Sequence, residues 1–298
     1  MVDTAPLLTP EQVLRRVEWK VIRHLEGRLQ GDYHTLLRGQ GTDFRDLRDY
    51  EWGDDVRHID WNVTARMDQL FVREFMEDRE LTAWLLLDRS RSMAFGPEDR
   101  TKEQVLRELG ATFAQLLVRS SNRIGAILYD GQELWTVQPG QGRRQVLTLV
   151  EHLLRPVEGG AVTDLSRLLE LANRVIRRRS LVVLISDFIS EPGWEQPLLR
   201  LTERHEVVAV RLVDPREYEL PDAGWLFVQD AETGEQLLVD SSNAEFRHRL
   251  RAAAIEQDQT IRRGAARSRT QLHHVSTSDD LVTAFVRMAE SAQRQRRR

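Results

Sequence analysis

The sequence predicts an α/β protein built on a doubly wound, mostly parallel sheet, with an N-terminal extension of one helix and irregular chain. Three observations predict it. The runs LTAWLLLD (Leu81–Asp88) and SLVVLISDF (Ser180–Phe188) are continuously apolar, as strands buried on both faces of a parallel sheet are. Such runs alternate with stretches of helical apolar spacing, which implies strand–helix–strand units. None of them approaches the roughly 20 residues that span a bilayer.

Each element has its own signal. Thr9 can cap a first helix and Pro10 suits its first turn. Val13, Leu14, Val17, Val21, Leu25 and Leu29 trace one face of it. The stretch RGQGTDFRDLRDYEWGDDVRHIDWNVTAR is dense in charge and turn-formers, and reads as loops and short strands. After the Leu81–Asp88 run comes a helix from about Lys102 to Ser120, striped by Val105, Leu106, Leu109, Phe113, Leu116 and Leu117. RIGAILYD and ELWTVQP flank Asp130-Gly131 as a hairpin. Helices follow near Arg143–Arg155 and Asp164–Arg179, then the Ser180 strand and a helix near Glu195–Arg204. EVVAVRLVDP is a strand. LFVQD and QLLVD form a second hairpin. A polar helix spans about Ala244–Arg263, and Gly264 is expected to end it. TQLHHVST is the last strand and Asp279–Ala292 the last helix. The expected division is 1–78 for the extension and 79–298 for the α/β domain.

Composition narrows the function. Of 298 residues, 41% are hydrophobic and 30% charged, enough for a sizeable core under a charged surface. Lys and Arg number 43 against 47 Asp and Glu, a net charge of -4, which argues against a dedicated nucleic-acid binder. The terminal RQRRR reads as a solvated tail. There is no cysteine, which removes disulfides, thiolate zinc sites and thiol catalysis. The N-terminus lacks the basic-then-apolar order of a signal peptide, so a cytoplasmic location is expected.

Open α/β sheets bind ligands at the carboxyl ends of their strands. Three separate loops at that edge offer oxygen. Asp88, Ser90 and Ser92 follow the first buried strand. Gly159-Gly160-Ala161-Val162-Thr163-Asp164 precedes the Leu165 helix. Asp187 follows the SLVVLIS strand. The spacing of Asp88, Ser90 and Ser92 points all three the same way in an extended loop. Two carboxylates with three hydroxyls suit a hard cation such as Mg2+ or Mn2+, which prefers about six oxygens and keeps some water. Hydroxyls add oxygen without charge, so the ion stays electrophilic and can accept a carboxylate from outside. Singly, each residue is explained by capping or turn formation. In order, at successive strand ends, they point to one cation.

The order DxSxS, then GGxxT before a helix, then SD after an apolar strand, resembles the metal-ion-dependent adhesion site of von Willebrand factor A (vWA) domains. That resemblance covers about Arg79 to the end. It implies Ser90, Ser92 and Thr163 as hydroxyl ligands, with Asp88 and Asp187 binding directly or through water. Many A domains have glycine after the last aspartate, where this chain has Phe188. A second resemblance spans Gly39 to Met93 and continues through SLVVLISDF and VVAVRLVDPRE. RDYEWGDDVRHIDWNVTAR and VREFMEDRELTAWLLLDRSRSM are similar to the bacterial family called domain of unknown function 58. Members are often encoded beside MoxR-type AAA+ ATPases, so the resemblance implies an adaptor or partner of such an ATPase.

The segment Asp49–Arg66 sets Glu51, Asp54, Asp55, Arg57, Asp60 and Arg66 beside Trp52 and Trp61. A salt-bridged structural insert accounts for it, since charges at this density are commonly paired. The competing reading is a recognition surface of Arg57, Asp60, Trp61 and Arg66, with Asp164 and Phe188 at the cation's rim. The eight histidines are scattered without metal spacing. A metal-dependent phosphohydrolase using Asp88 as nucleophile is the alternative function. It lacks the second acid of a DxD pair, because Ser90 stands there. GxSxG, GxxxxGK[ST] and a GxGxxG after the first strand are all absent. No catalytic constellation is expected.

Overall fold

The structure is a computed structural model that describes residues 9–23, 25, 47–50, 59, 61–67, 69–73, 81–97, 100–157, 163–219, 222–229 and 236–296. It divides into two compact units, Met1–Leu37 with Leu81–Arg298, and Arg38–Glu80.

Helix α1 (Pro10–Val17) starts as the sequence predicts. Thr9 and Gln12 form a capping box and proline stands in the first turn. The chain widens into a π-helical turn at Glu18–Ile22 instead of continuing as one regular helix. Across both segments Val13, Leu14, Val17, Val21 and Ile22 stay buried, with Leu25 beyond them. They join the same core as the sheet. The first helix therefore lies in the same compact unit as the sheet.

In the second unit, β1 (Leu47–Asp49) is followed by helix α2 (Trp61–Met67) and β2 (Phe71–Arg73), which pairs antiparallel with β1. The Thr64 hydroxyl accepts a bond from the Phe71 amide at 3.1 Å, fixing the turn out of α2. The short strands were expected; α2 was not.

The main sheet begins with β3 (Thr82–Asp88), then α3 (Lys102–Arg119), the hairpin β4 (Arg123–Tyr129) and β5 (Leu134–Gly140), and helices α4 (Gly142–Leu154) and α5 (Leu165–Val175). It continues through β6 (Leu181–Ser186), α6 (Glu195–Arg204) and β7 (Glu206–Val213). A second hairpin, β8 (Trp225–Gln229) and β9 (Gln236–Asp240), leads to α7 (Ala244–Arg267), β10 (Leu272–Ser276) and α8 (Leu281–Arg296). The strand order is β10-β7-β6-β3-β4-β5, with β5 alone antiparallel to its neighbour. Counted from β3 the order is 3-2-1-4-5-6, so it reverses between β3 and β6. A doubly wound sheet opens its ligand crevice at that switch point.

Alternation along β3 builds two cores. Ala83, Leu85 and Leu87 face α1, α3, α4 and α8, where Phe113 and Phe285 meet with ring centroids 4.8 Å apart. Trp84 and Leu86 face α5, α6 and α7. Layers on both faces explain why β3 and β6 read as unbroken apolar runs.

Helix α7 corrects one expectation: it runs through Gly264 to Arg267. Gly264 is there for close approach, since a Cβ would lie 2.8 Å from the Trp194 ring. Gly264→Ala is expected to destabilise the fold by about 1–3 kcal/mol through overpacking, measured by urea unfolding, despite alanine's better helix propensity.

Strand β10 holds His273 and His274. Burial first, then the neighbouring His274, depress His273 to about 4. The unfolded chain therefore takes a proton below about 6.5 that the folded chain refuses, and stability falls as pH drops from 6.5 towards 4. His273→Gln is expected to lose about 2–3 kcal/mol less than the parent across that window, read from urea midpoints.

Candidate cation site at the switch point

Asp88 ends β3 and is wholly buried. Its Oδ1 accepts the Ser90 amide at 3.0 Å, an Asx turn that reverses the chain. Its Oδ2 accepts the Ser186 hydroxyl at 2.6 Å, from the end of the neighbouring β6. Ser186 Oγ in turn accepts the Phe188 amide at 2.8 Å. Just after Asp88, Arg89 donates to the carbonyls of His152 and Arg155, pinning the loop to the end of α4.

Ser90 precedes a 3-10 turn, Arg91–Ala94, without capping it through its side chain. Its hydroxyl lies 3.1 Å from that of Ser92, and both residues are buried. The residues around Thr163 are tied to this edge from two sides. The Asp164 amide donates to the Tyr129 hydroxyl at 3.2 Å, and Tyr129 lies opposite Asp88 in the β3–β4 register. The Thr163 carbonyl accepts the Glu191 amide at 2.9 Å, and the Leu165 amide donates to Ser190 Oγ at 2.8 Å. Asp164, not Thr163, caps α5, by accepting from the Ser166 amide. Thr163 Oγ1 is buried and has no hydrogen-bond partner among the described residues. Gly159–Val162, the rest of that loop, lie outside the described residues.

Asp187 is held at three points. Its Oδ1 accepts the Ile189 amide at 3.0 Å, its Oδ2 accepts the Lys102 ammonium at 2.6 Å, and its carbonyl accepts Arg211 Nε at 3.2 Å. Lys102 also reaches Glu217 Oε1 at 2.6 Å. Burial alone would lower the Lys102 ammonium, but Asp187 and Glu217 hold it above its ordinary value. Asp88 behaves oppositely. Burial and the Asp187 charge push it up to about 6, against the pull of bonds from Ser186 and Ser90.

Sequence reasoning missed Ser186, Lys102, Arg211 and Glu217. One signal for Lys102 was present: it is the first residue of α3, where the helix dipole disfavours a cation unless an anion answers it. Phe188 requires a correction. It is 2% exposed, packs at 5.2 Å edge-on to Trp194, and sits at φ 60. It turns inward, so it is not a rim contact for a partner. Its left-handed backbone is one that glycine adopts freely. In the other unit Trp61 is 66% exposed and Arg66 is exposed, whereas Arg57 and Asp60 lie outside the described residues.

The donor set fits a hard cation. Among the described residues no three carboxylate or imidazole side chains converge. An ion here would depend on hydroxyls, and three are present: Ser90 and Ser92 bonded to each other, and Thr163 bonded to nothing described. Buried polar atoms without partners are rare and call for a cause.

The fold and this cluster define a doubly wound α/β protein with buried carboxylates and hydroxyls at its switch point. The chain belongs to the family described as "Protein of unknown function DUF58", which matches residues 46–260. Uncharacterized proteins Rv1480 of Mycobacterium tuberculosis and Mb1516 of Mycobacterium bovis are each 34% identical over 286 residues, covering 94% of this chain and 89% of theirs. Among solved structures, the hypothetical protein BatB from Bacteroides thetaiotaomicron covers 72% of this chain and 99% of its own at 15% identity, with a TM-score of 0.46. The VWA domain of SpRpn10 covers 70% and 94% at 14% identity, with a TM-score of 0.38. No described helix is long and apolar enough to cross a membrane.

Proposed function

We propose that this protein is a cytoplasmic, metal-dependent protein-interaction module. One Mg2+ or Mn2+ is held by Asp88, Ser90, Ser92 and Thr163, with Asp187 as a nearby second carboxylate. An acidic side chain of a partner completes the ion's coordination. The observation that carries this reading is the buried Thr163 hydroxyl, without a hydrogen-bond partner among the described residues, beside an α5 cap that uses Asp164 instead. Helix capping leaves Thr163 unexplained; a cation explains it. The resemblance to domain of unknown function 58 suggests a MoxR-type AAA+ ATPase as the partner.

A phosphohydrolase reading asks more of Asp88. It would also need a second acid two residues on to protonate the leaving group, and Ser90 stands there. Calorimetric titration of the full chain should show one Mn2+ or Mg2+ bound, and Ser92→Ala should weaken it about tenfold by removing one ligand. The chain should not hydrolyse p-nitrophenyl phosphate, and a MoxR-type ATPase should be retained on the immobilised chain only without chelator. No binding to the parent chain would sink the cation reading. Metal-dependent phosphate release lost on replacing Asp88 would favour the enzyme instead.

A further inference from the structure

We infer that the Lys102 ammonium is a resident, covalently tethered cation beside this site, and that it sets how tightly the site takes a divalent ion. The inference rests on the cation reading above and adds a residue outside its ligand set.

Lys102 is fully buried, and its Nζ lies 2.6 Å from both Asp187 Oδ2 and Glu217 Oε1. It also stands 5.7 Å from the centroid of the Phe95 ring, within cation–π range. With Oδ1 of Asp187 taken by the Ile189 amide, each oxygen of that carboxylate already has a donor. Ser186, the residue before Asp187, donates its hydroxyl to Asp88 Oδ2 at 2.6 Å, which ties the Asp187 loop to the proposed ligands. The ammonium is therefore one carboxylate removed from the proposed ligands. Its position at the start of an 18-residue helix opposes the dipole, so the two carboxylates and the Phe95 ring are what favour it there.

Two consequences follow from charge. The ammonium repels an incoming divalent ion across a low-dielectric interior. It also claims the Asp187 oxygen that would otherwise turn to the ion, so a bound ion stays under-neutralised and more receptive to a carboxylate from outside. Glu217 moderates this by sharing the ammonium between two anions.

A purely structural ion pair predicts something different. If Lys102 only braces the cluster, removing it or Glu217 loosens the ligands, and both changes weaken binding. If it regulates by charge, the two changes act in opposite directions. Lys102→Met should bind Mn2+ at least tenfold tighter than the parent. Glu217→Gln, which leaves the ammonium to Asp187 alone, should bind at least threefold weaker.

Lys102→Met strands two buried carboxylates and could fail to fold. The double variant Lys102→Met with Glu217→Gln strands one, and should bind Mn2+ at least tenfold tighter than Glu217→Gln. Dissociation constants come from calorimetry, bound Mn2+ from its electron paramagnetic resonance signal, and folding from circular dichroism, all on the full chain. Tighter binding on loss of the ammonium supports the inference. Unchanged or weaker binding in the folded Lys102 variants, with the parent binding and Asp88→Asn not, overturns the inference alone. No Mn2+ bound by the parent overturns the cation site and the inference with it.

Discussion

Asp88→Asn should stabilise the cation-free protein at pH 7 by about 1–3 kcal/mol while abolishing its response to magnesium. The parent buries an Asp88 carboxylate whose proton affinity is raised from the ordinary 3.8 to about 6 by burial and by Asp187. A raised carboxyl means that ionisation is costlier in the folded chain than in the unfolded one. Folding is therefore penalised above pH 6, and the penalty fades as pH falls towards 4. Asparagine removes the charge and keeps an oxygen for the Ser90 amide. Its amide can donate to Ser186 Oγ, which reverses that bond but preserves it. Urea unfolding in chelator at pH 7 and pH 5 checks both halves: the gain should be largest at pH 7 and shrink at pH 5. A loss of stability at pH 7 would mean that the Asp88 charge is already compensated without an ion. Asp88 and His273 slope in opposite directions below pH 6, so the parent's acid profile should be flatter than that of either single variant.

Lys102→Met should cost about 3–5 kcal/mol in chelator, the usual penalty for removing one partner of a buried ion pair. Asp187 and Glu217 would face each other across the gap, and Asp187 is 1% exposed, so water does little to relieve it. Divalent cation should restore more of this loss than it adds to the parent, because binding to the folded state alone stabilises by mass action. The measurement is the denaturation midpoint with and without saturating magnesium. A midpoint equal to the parent's in chelator would show that the triad contributes nothing.

Much of this architecture was legible because burial leaves a local signature. The runs of β3 and β6 are apolar on consecutive residues because helices cover both faces, and that needs no partner to recognise. Asp88, Ser90 and Ser92 were legible as one group because they are close in sequence, and Asp187 because it follows a run that could only be a central strand. The features that escaped depend on distance along the chain. Lys102 meets Asp187 85 residues away and Glu217 115 away, so no window of sequence contains the triad. Gly264 looked like a helix terminator, but its lack of a side chain serves the Trp194 ring, which arrives from another element. Phe188 looked like a rim residue for the same reason: Trp194 decides its direction, six positions on.

The loop leaving β6 is bound on several sides at once. Asp187 uses its carboxylate on α3, its carbonyl on β7 through Arg211, and its neighbour Ser186 on β3. Arg211 is itself ion-paired with Asp258 of α7. A segment so tethered has no cheap local opening. Its amides at Phe188 and Ile189 should exchange with deuterium only at the rate of whole-domain unfolding, although loops ordinarily exchange among the fastest. Whatever binds at this edge would then meet a preset surface, with little ordering entropy left to lose on docking.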